Sequence, residues 1–164
     1  MKRGERIVEP DLITYSTLLK GHCRCKKIEQ ALILHEQMLA QGIKADEVLY
    51  NSLLDGCLKA DETDMALKCF SNMRKLKIKP SNVTFSILAK IYQRMGHNEK
   101  SLGILEDMAA EGVKPGVFVY TCMIQTCLQI HETDKALKMY DQMLSDGIKP
   151  DNVTYYTLIQ GCLQ

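Results

Sequence analysis

The chain has 164 residues, of which 46% are hydrophobic and 25% are charged, and its formal net charge is +1. This length suits one ordinary domain with a sizeable core, and the composition is that of a globular protein. Charges interrupt every apolar run before it reaches the roughly 18 residues of a membrane span. The near-zero net charge provides no global basic bias, so any polyanion would have to meet a local patch.

The N-terminal segment and the cysteines give no sign of export. The first eleven residues, MKRGERIVEPD, contain early basic residues but neither an apolar core nor an Arg/Ser-rich amphipathic stretch. They therefore predict neither a secretory signal nor a visible transit peptide. The seven cysteines are odd in number and include no paired CxxC blocks. They argue against a disulfide scaffold and favour reduced thiols inside a cell.

An internal repeat with a period of 35 residues runs through the sequence. Its columns are Tyr15, Tyr50, Phe85, Tyr120 and Tyr155; Met38, Met73, Met108 and Met143; Leu32, Leu67, Leu102 and Leu137; Ala31, Ala66, Ser101 and Ala136; and Pro80, Pro115 and Pro150. Five columns in one register indicate a repeat protein, and a period of this size is typical of helical arrays.

Each copy of the repeat predicts two helices. In the second copy, apolar residues follow the i, i+3, i+4, i+7, i+8 pattern of one helical face at Tyr50, Leu53, Leu54, Cys57 and Leu58. After the polar break KADETD (59–64), a second amphipathic face runs through Ala66, Leu67, Phe70 and Met73. The proline in KLKIKPS (75–81) ends the second helix, because proline cannot continue a helix.

A residue with left-handed backbone is expected just after each second helix. Gly42, Gly112 and Gly147 occupy this C-cap position in copies one, three and four, as a left-handed cap requires. Lys77 takes the position in copy two, where we expect either strain or a different cap.

The helix pairs cannot bury their apolar faces alone, so neighbouring pairs are expected to stack. We predict an all-α fold, a right-handed α-solenoid of stacked helix-turn-helix repeats. The predicted repeats are 12–46, 47–81, 82–116 and 117–151, and 152–164 is the first helix of an incomplete fifth repeat. Residues 1–11 are an N-terminal tail or the remnant of a preceding repeat.

No residue pattern indicates catalysis, a cofactor or a metal. Cys57, Cys127 and Cys162 occupy one column of the first helices, which favours small core residues over metal ligands. Cys23 and Cys25 point to different helical faces and make a poor ligand pair. The histidines have no nucleophile or carboxylate at a diagnostic spacing, and we predict that the chain is not an enzyme.

The repeat resembles the pentatricopeptide repeat. The segments NVTYYTLIQGCL (152–163) and NVTFSILAKIYQRMG (82–96) match its first helix, and ETDKALKMYDQMLSDGIKPD (132–151) matches its second helix and closing turn. The related tetratricopeptide repeat has a period of about 34 residues and an early tryptophan. All copies here have one length, so the resemblance is to the plain class, and it covers about residues 11–164.

The resemblance implies sequence-selective binding of single-stranded RNA, one nucleotide per repeat, in the RNA metabolism of a mitochondrion or chloroplast. Single-stranded RNA exposes base edges that polar side chains can read and flat faces that apolar side chains can sandwich. Family members read each base with the residue after the tyrosine and the last residue of the repeat. The corresponding pairs are Ser16 with Asp46, Asn51 with Ser81, Ser86 with Gly116, and Thr121 with Asp151.

The resemblance also assigns the base-sandwiching and phosphate-contacting positions. Two residues before each tyrosine lie the base-sandwiching candidates Ile13, Val48, Val83, Phe118 and Val153. Arg24, Lys59 and Arg94 match the phosphate-contacting position, from which Gln129 and Gln164 depart. By the family's pairing rules the chain reads 5′-G-C-x-G-3′, and the third position is ambiguous because Gly116 is not polar.

A second interpretation stays open. The same polar positions occur on any solvated face, so the chain could be a structural or protein-interaction subunit of a large organellar assembly. The apolar face of YYTLIQGCL (155–163) is uncapped in the sequence, and helical arrays need capping repeats. On this interpretation, a protein subunit docks at that end.

Overall fold

The computed structural model describes residues 10–163, except for the side chain of Cys162, and every regular element in that range is an α-helix. The helices are α1 (Leu12–Arg24), α2 (Ile28–Ala40), α3 (Glu47–Ala60), α4 (Thr63–Lys75), α5 (Asn82–Arg94), α6 (Asn98–Leu102), α7 (Ile104–Ala110), α8 (Val117–Gln129), α9 (Thr133–Ser145) and α10 (Asn152–Cys162). None of these helices is long and apolar enough to cross a membrane. Of the predicted tail 1–11, all but Pro10 and Asp11 lies outside the described residues, as does Gln164.

The first helix of each repeat begins directly after a capping residue. Asp11, Asp46, Ser81 and Asp151 each precede a first helix, and each accepts a hydrogen bond from a backbone N–H of its first turn. Such caps satisfy backbone donors that have no partner inside the helix. Gly116 precedes α8 and has no side chain to cap it.

The second helix of the third repeat departs from the prediction of one continuous helix. It is divided into α6 and α7 at Gly103, whose φ of −73° is helical but whose ψ of −8° departs from the usual α-helical value of about −42°. Ile33, Lys68 and Lys138 occupy the same position in the other repeats, whose second helices are unbroken. Glycine loses the most backbone freedom in a helix, which weakens the helix at this point.

Left-handed backbone closes the turns after the helices. Gly42, Gly112 and Gly147 have φ of +76°, +66° and +74°, and Lys77 has φ of +57° in the corresponding position. The expected left-handed caps are therefore confirmed, and Lys77 adopts the strained conformation rather than a different cap. The turns inside the hairpins repeat the conformation at Lys26, Asp61, Gly96 and His131, which the sequence pattern did not predict.

The chain divides into two compact units, Met1–Phe70 and Ser71–Gln164. In the first unit, α1 packs against α2 and α3, and α2 also packs against α3. Ala31 and Met38 of α2 are fully buried. A Cβ atom on Gly56 would lie 2.6 Å from Cys23 Sγ, so the absence of a side chain lets α3 approach α1 closely.

In the second unit, α8 packs against α5, α6, α9 and α10. Ile124, Cys127 and Leu128 of α8 form a core cluster with Ala136 of α9. Ser101 replaces alanine in the small-residue column, and its buried hydroxyl shares a 3.2 Å hydrogen bond with the Thr126 hydroxyl. The partner removes the cost of burying a hydroxyl alone.

Candidate nucleic-acid interface

The five base-sandwiching candidates are exposed apolar residues at the same position, the second residue of each first helix. Their exposed fractions are 74% for Ile13, 58% for Val48, 56% for Val83, 38% for Phe118 and 61% for Val153. The tyrosine column two residues later is buried at Tyr15, Tyr50, Phe85 and Tyr120. We call the five exposed residues the apolar column. Single exposed apolar residues are common, but one in every repeat at the same position marks a recurring candidate binding contact.

The predicted closing residues of the reading pairs are helix caps. Asp46 Oδ1 accepts from the Leu49 N–H at 2.8 Å, and Asp151 Oδ1 accepts from the Thr154 N–H at 2.8 Å. Ser81 Oγ accepts from the Val83 N–H at 3.2 Å. Capping holds each side chain at the start of the next first helix, so these groups are preorganised rather than free to rotate.

Asp46 and Asp151 are exposed at their caps. The backbone N–H of Thr154, and then its hydroxyl, hold the pKa of Asp151 below the ordinary aspartate value. Asp151 is therefore a carboxylate at neutral pH and can only accept hydrogen bonds.

The fourth reading pair is joined through Thr154. Thr121 Oγ1 lies 2.8 Å from Thr154 Oγ1, which donates to Asp151 Oδ1 at 2.8 Å. The Thr121 hydroxyl has one proton, which goes either to Thr154 Oγ1 or to the Val117 carbonyl at 2.9 Å. Thr121 is only 6% exposed, so the structure brings the predicted partners together but leaves Asp151 as the accessible member.

The first members of the other pairs are half-buried on their helices. Ser16 lies on α1, and Asn51 Nδ2 on α3 donates to Glu47 Oε1 at 2.8 Å. Ser86 Oγ on α5 donates to the carbonyl oxygen of Asn82 at 2.7 Å. Ser86 has one hydroxyl proton, so this bond leaves the hydroxyl with lone pairs to offer a ligand.

Asn82 occupies the space beside Gly116, the non-polar member of the third pair. Its Oδ1 accepts from the Gly116 N–H at 3.1 Å. A Cβ atom on Gly116 would lie 2.8 Å from Asn82 Nδ2, so a side chain at position 116 requires Asn82 to move. Sequence reasoning left this site without a polar closing group and did not consider Asn82.

The predicted phosphate contacts lie at the C-terminal ends of first helices. Arg24 ends α1, Arg94 ends α5, and both are exposed. Lys59 Nζ forms an ion pair with Asp55 Oδ2 at 2.6 Å, so a phosphate would compete with this carboxylate. In the first unit, a cleft of about 210 Å³ between α1 and α3 is lined by Lys20, Arg24, Asp55 and Lys59, among other residues.

Lys90 is a further basic residue that sequence reasoning missed. Its Nζ lies over the Phe118 ring, 4.6 Å from the ring centroid. Phe118 is also the least exposed member of the apolar column, and a cation over an aromatic face is attracted by the ring. The available signal was helical spacing, since Lys90 lies four residues before Arg94, as Lys20 does before Arg24.

The matching cleft between α8 and α10 carries no charge. It encloses about 370 Å³ and is lined by Gln125, Gln129, Gln160, Tyr156 and Val153, among other residues. Gln160 Nε2 donates to the Tyr156 hydroxyl at 2.6 Å. The last repeats thus offer amide and phenol groups where the first offers ammonium and guanidinium groups.

The buried cysteines have the surroundings of packing residues. Cys57 and Cys127 are fully buried. Burial raises the pKa of Cys23 to about 11 and that of Cys122 to about 11. These two thiols therefore stay protonated and poorly nucleophilic at neutral pH. Within residues 10–163, no group of three or more His, Cys, Asp or Glu side chains could hold a metal ion.

Helical hairpins with an exposed apolar residue in every first helix define a helical-repeat protein. Residues 10–57, 45–94 and 115–164 match the family model described as PPR repeat family, and residues 83–113 match the PPR repeat model. The chain belongs to the pentatricopeptide repeat family, as the sequence resemblance predicted. No curated protein matches the chain by sequence.

Solved structures of this family are similar over most of the chain. The pentatricopeptide repeat protein PPR10 in complex with an 18-nt psaJ RNA element is 27% identical with a TM-score of 0.76, over 96% of this chain and 23% of that one. PPR10 from maize is 31% identical with a TM-score of 0.64, over 94% and 22% of the two chains. The chain therefore spans less than a quarter of the PPR10 chains that it matches.

A third structure agrees in fold alone. The PPR domain of Arabidopsis thaliana protein-only RNase P 1, in complex with tRNA, is 20% identical with a TM-score of 0.77, over 90% of this chain and 78% of that one. These similarities confirm the predicted fold class, an all-α array of helix-turn-helix repeats.

Proposed function

We propose that the chain binds single-stranded RNA, with one nucleotide in contact with each repeat. The observation that carries the proposal is the apolar column, one exposed apolar side chain at the second position of every first helix. Nucleobases have apolar faces that can cover such side chains, and a base stacked on an aromatic side chain such as Phe118 contributes about 1–3 kcal/mol to binding. The RNA complex of PPR10 supports the proposal, because that protein is similar over nearly the whole of this chain.

The polar groups beside the apolar column support the base order 5′-G-C-x-G-3′. Asp46 and Asp151 offer hydrogen-bond acceptors at the first and fourth sites, where guanine carries N–H donors on its pairing edge. The second site has Asn51 and Ser81, which the family's pairing rules assign to cytosine. The proposal includes a role in organellar RNA metabolism, in a mitochondrion or chloroplast, and assigns the chain a binding role rather than a catalytic one.

Selection from a random RNA pool tests the proposal. We expect enrichment of a short G-C-x-G motif, with the labelled RNA recovered intact after incubation. If no motif is enriched, the base-reading proposal is wrong. If the chain instead co-purifies with a protein after nuclease treatment and high salt, the interpretation as an assembly subunit is favoured.

A single substitution tests the assignment of residues to sites. We expect Ser81→Asp to move the second preference from cytosine toward uracil. Aspartate is as good a helix cap as serine, so α5 should keep its start and the change should report on base reading alone. An unchanged preference at the second site, with RNA still bound, would show that Ser81 does not read the base.

A further inference from the structure

The third site carries a polar group that comes from outside the predicted reading pair. Gly116 supplies no side chain, but Asn82, the first residue of α5, lies against it in the second unit. The backbone carbonyl of Asn82 accepts the hydroxyl proton of Ser86, the other member of the pair. Asn82 therefore contacts both residues of the third pair, one through its side chain and one through its backbone.

The hydrogen bond to Gly116 determines which end of the amide faces the site. The Gly116 N–H is a donor, so the Asn82 atom that meets it at 3.1 Å must be the carbonyl oxygen Oδ1. A Cβ atom on Gly116 would lie 2.8 Å from Asn82 Nδ2 and 3.4 Å from Asn82 Oδ1, so Nδ2 is the nearer of the two atoms. The closing position of the third site thus presents an NH2 donor.

This polarity is opposite to that of the first and fourth sites. Asp46 and Asp151 place carboxylate acceptors at the closing position, whereas Asn82 places a donor there. Ser86 has used its proton on the Asn82 carbonyl and offers lone pairs. The third site therefore combines a donor with a neighbouring acceptor.

Two of the four bases match this arrangement when the ring nitrogen faces the closing position, as the assignment of guanine to the sites of Asp46 and Asp151 implies. The pairing edges of adenine and cytosine carry a ring-nitrogen acceptor beside an amino donor. In the same orientation guanine and uracil carry a ring N–H donor beside a carbonyl acceptor, so each would meet a group of like polarity at both positions. A polar group left unpaired at a binding site disfavours the wrong base more than a good bond favours the right one.

We infer that Asn82 is the closing residue of the third site and selects adenine or cytosine over guanine or uracil. The inference rests on the proposed RNA binding and completes the motif as 5′-G-C-(A/C)-G-3′. Asn82 is exposed, so a base can reach its amide without a rearrangement of the core.

The experiment compares four RNAs that differ only at the third base of G-C-x-G within identical flanks. We expect the wild-type chain to bind the adenine and cytosine RNAs about 3- to 10-fold more tightly than the other two, as one or two net hydrogen bonds would give. We expect Asn82→Ala to remove this difference while the preference for guanine at the first and fourth positions stays.

Two further variants test the polarity argument, and one serves as control. Asn82→Asp replaces the donor by an acceptor and should favour guanine or uracil at the third position. Gly116→Asp should have the same effect, because its side chain would displace the flexible end of Asn82. Asn152→Ala removes the asparagine at the matching position of α10 and should leave the third preference unchanged.

The outcomes separate this inference from the proposed function. If the wild-type chain binds none of the four RNAs, the proposed function fails. If it binds all four equally, prefers guanine or uracil, or keeps the adenine/cytosine preference in Asn82→Ala, RNA binding stands and the assignment of Asn82 is overturned. Far-UV circular dichroism of each variant checks that α5 is retained.

Discussion

His35 and Tyr50 in the first unit are buried next to each other without hydrogen bonds at their polar ends. Their rings meet edge to face with centroids 5.1 Å apart, and their exposed fractions are 5% and 0%. Within the described part of the chain, neither His35 Nε2 nor the Tyr50 hydroxyl has a hydrogen-bond partner. By contrast, the hydroxyls of Tyr15 and Tyr120 in the same column donate to Gln41 and Asp146. A buried polar atom without a partner costs stability and makes the site sensitive to protonation.

We predict that His35 makes the chain less stable as pH falls. Burial lowers the pKa of His35 below 6.5, and the nearby Glu36 opposes the shift only in part. The unfolded chain takes up this proton more readily than the folded chain. The contribution of uncharged His35 to the free energy of unfolding is therefore fully present above pH 6.5. It is lost as the pH falls, by at most about 1.4 kcal/mol per pH unit.

Urea unfolding at pH 7.5 and 5.5 measures the effect. The urea midpoint of the wild type should be lower at pH 5.5 than at pH 7.5. His35→Phe keeps a ring against Tyr50, and its midpoint should decrease less between the same two pH values. Equal falls in the two proteins would exclude His35 as the source. His97→Phe is a matched control, because His97 is exposed and its loss should leave the pH dependence of the wild type.

At the scale of helices, the turns show how the repeat tolerates sequence drift. Three repeats end their second helix with glycine in left-handed backbone, and the second repeat ends it with Lys77 at a φ of +57°. Residues with a Cβ atom pay roughly 1–2 kcal/mol for this conformation. The fold accepts the cost because the backbone bonds of the turn are kept, including that from the Lys77 N–H to the Arg74 carbonyl at 2.9 Å.

We predict that Lys77→Gly stabilises the chain by about 0.5–1 kcal/mol. The relief of strain is larger than the loss due to the greater freedom of glycine in the unfolded chain. The reverse change, Gly147→Lys, should destabilise it by a similar amount, and both are measured by urea unfolding. A loss of stability in Lys77→Gly would show that the lysine side chain contributes more than its backbone costs.

Contacts between neighbouring helices also set the expected electrostatics of binding. Lys90 of α5 lies over Phe118 of α8, so a base that stacks on that ring would displace the ammonium group. A displaced ammonium group next to a nucleotide is placed to contact its phosphate. Lys90 would then add a fourth cation to the predicted contacts of Arg24, Lys59 and Arg94.

We predict that Lys90→Gln makes RNA binding less sensitive to salt. The slope of log K against log salt should become less steep by about 0.7, the value for one phosphate contact on a single strand. Fluorescence anisotropy at several salt concentrations measures it. Lys100→Gln is a matched control, since Lys100 lies over Tyr92 at 5.9 Å and is not part of the predicted phosphate positions. Equal slopes for wild type and Lys90→Gln would assign the lysine to packing alone.

At the scale of the whole chain, charge and repeat number limit the affinity. The net charge is +1, and the basic residues at the phosphate positions belong to the first three repeats, with Gln129 in the fourth. Four repeats and a fifth first helix offer four or five base contacts. We therefore expect selective but modest binding rather than tight binding to any polyanion.

We predict that affinity rises with RNA length only up to about five nucleotides, as one nucleotide per repeat implies. A series of oligonucleotides of three to ten residues containing G-C-A-G, measured by anisotropy at fixed salt, tests this limit. A continued steep gain beyond six nucleotides would contradict the one-per-repeat stoichiometry. A duplex of the same sequence should bind more weakly, because pairing hides the base edges.

The periodicity of the sequence was sufficient to predict the helices and the left-handed caps after the second helices, and the family resemblance supplied the positions of the apolar column. These features depend on contacts between residues that are close in sequence, or on columns that recur every 35 residues. The exposure of Val48 and the burial of Tyr50 both follow from which helical face each residue occupies. The interruption at Gly103 was missed because a single glycine only weakens a helix, and the surrounding packing decides whether it breaks.

By itself, the sequence determined that this protein is a helical-repeat array with one candidate nucleotide contact per repeat. Only the tertiary structure decided which groups surround each candidate contact. Asn82 meets Gly116 across 34 residues, Thr121 meets Thr154 across 33, and Lys90 covers Phe118. The physical reason is that a hydrogen bond forms within a few tenths of an ångström, whereas a repeat pattern specifies only which faces meet.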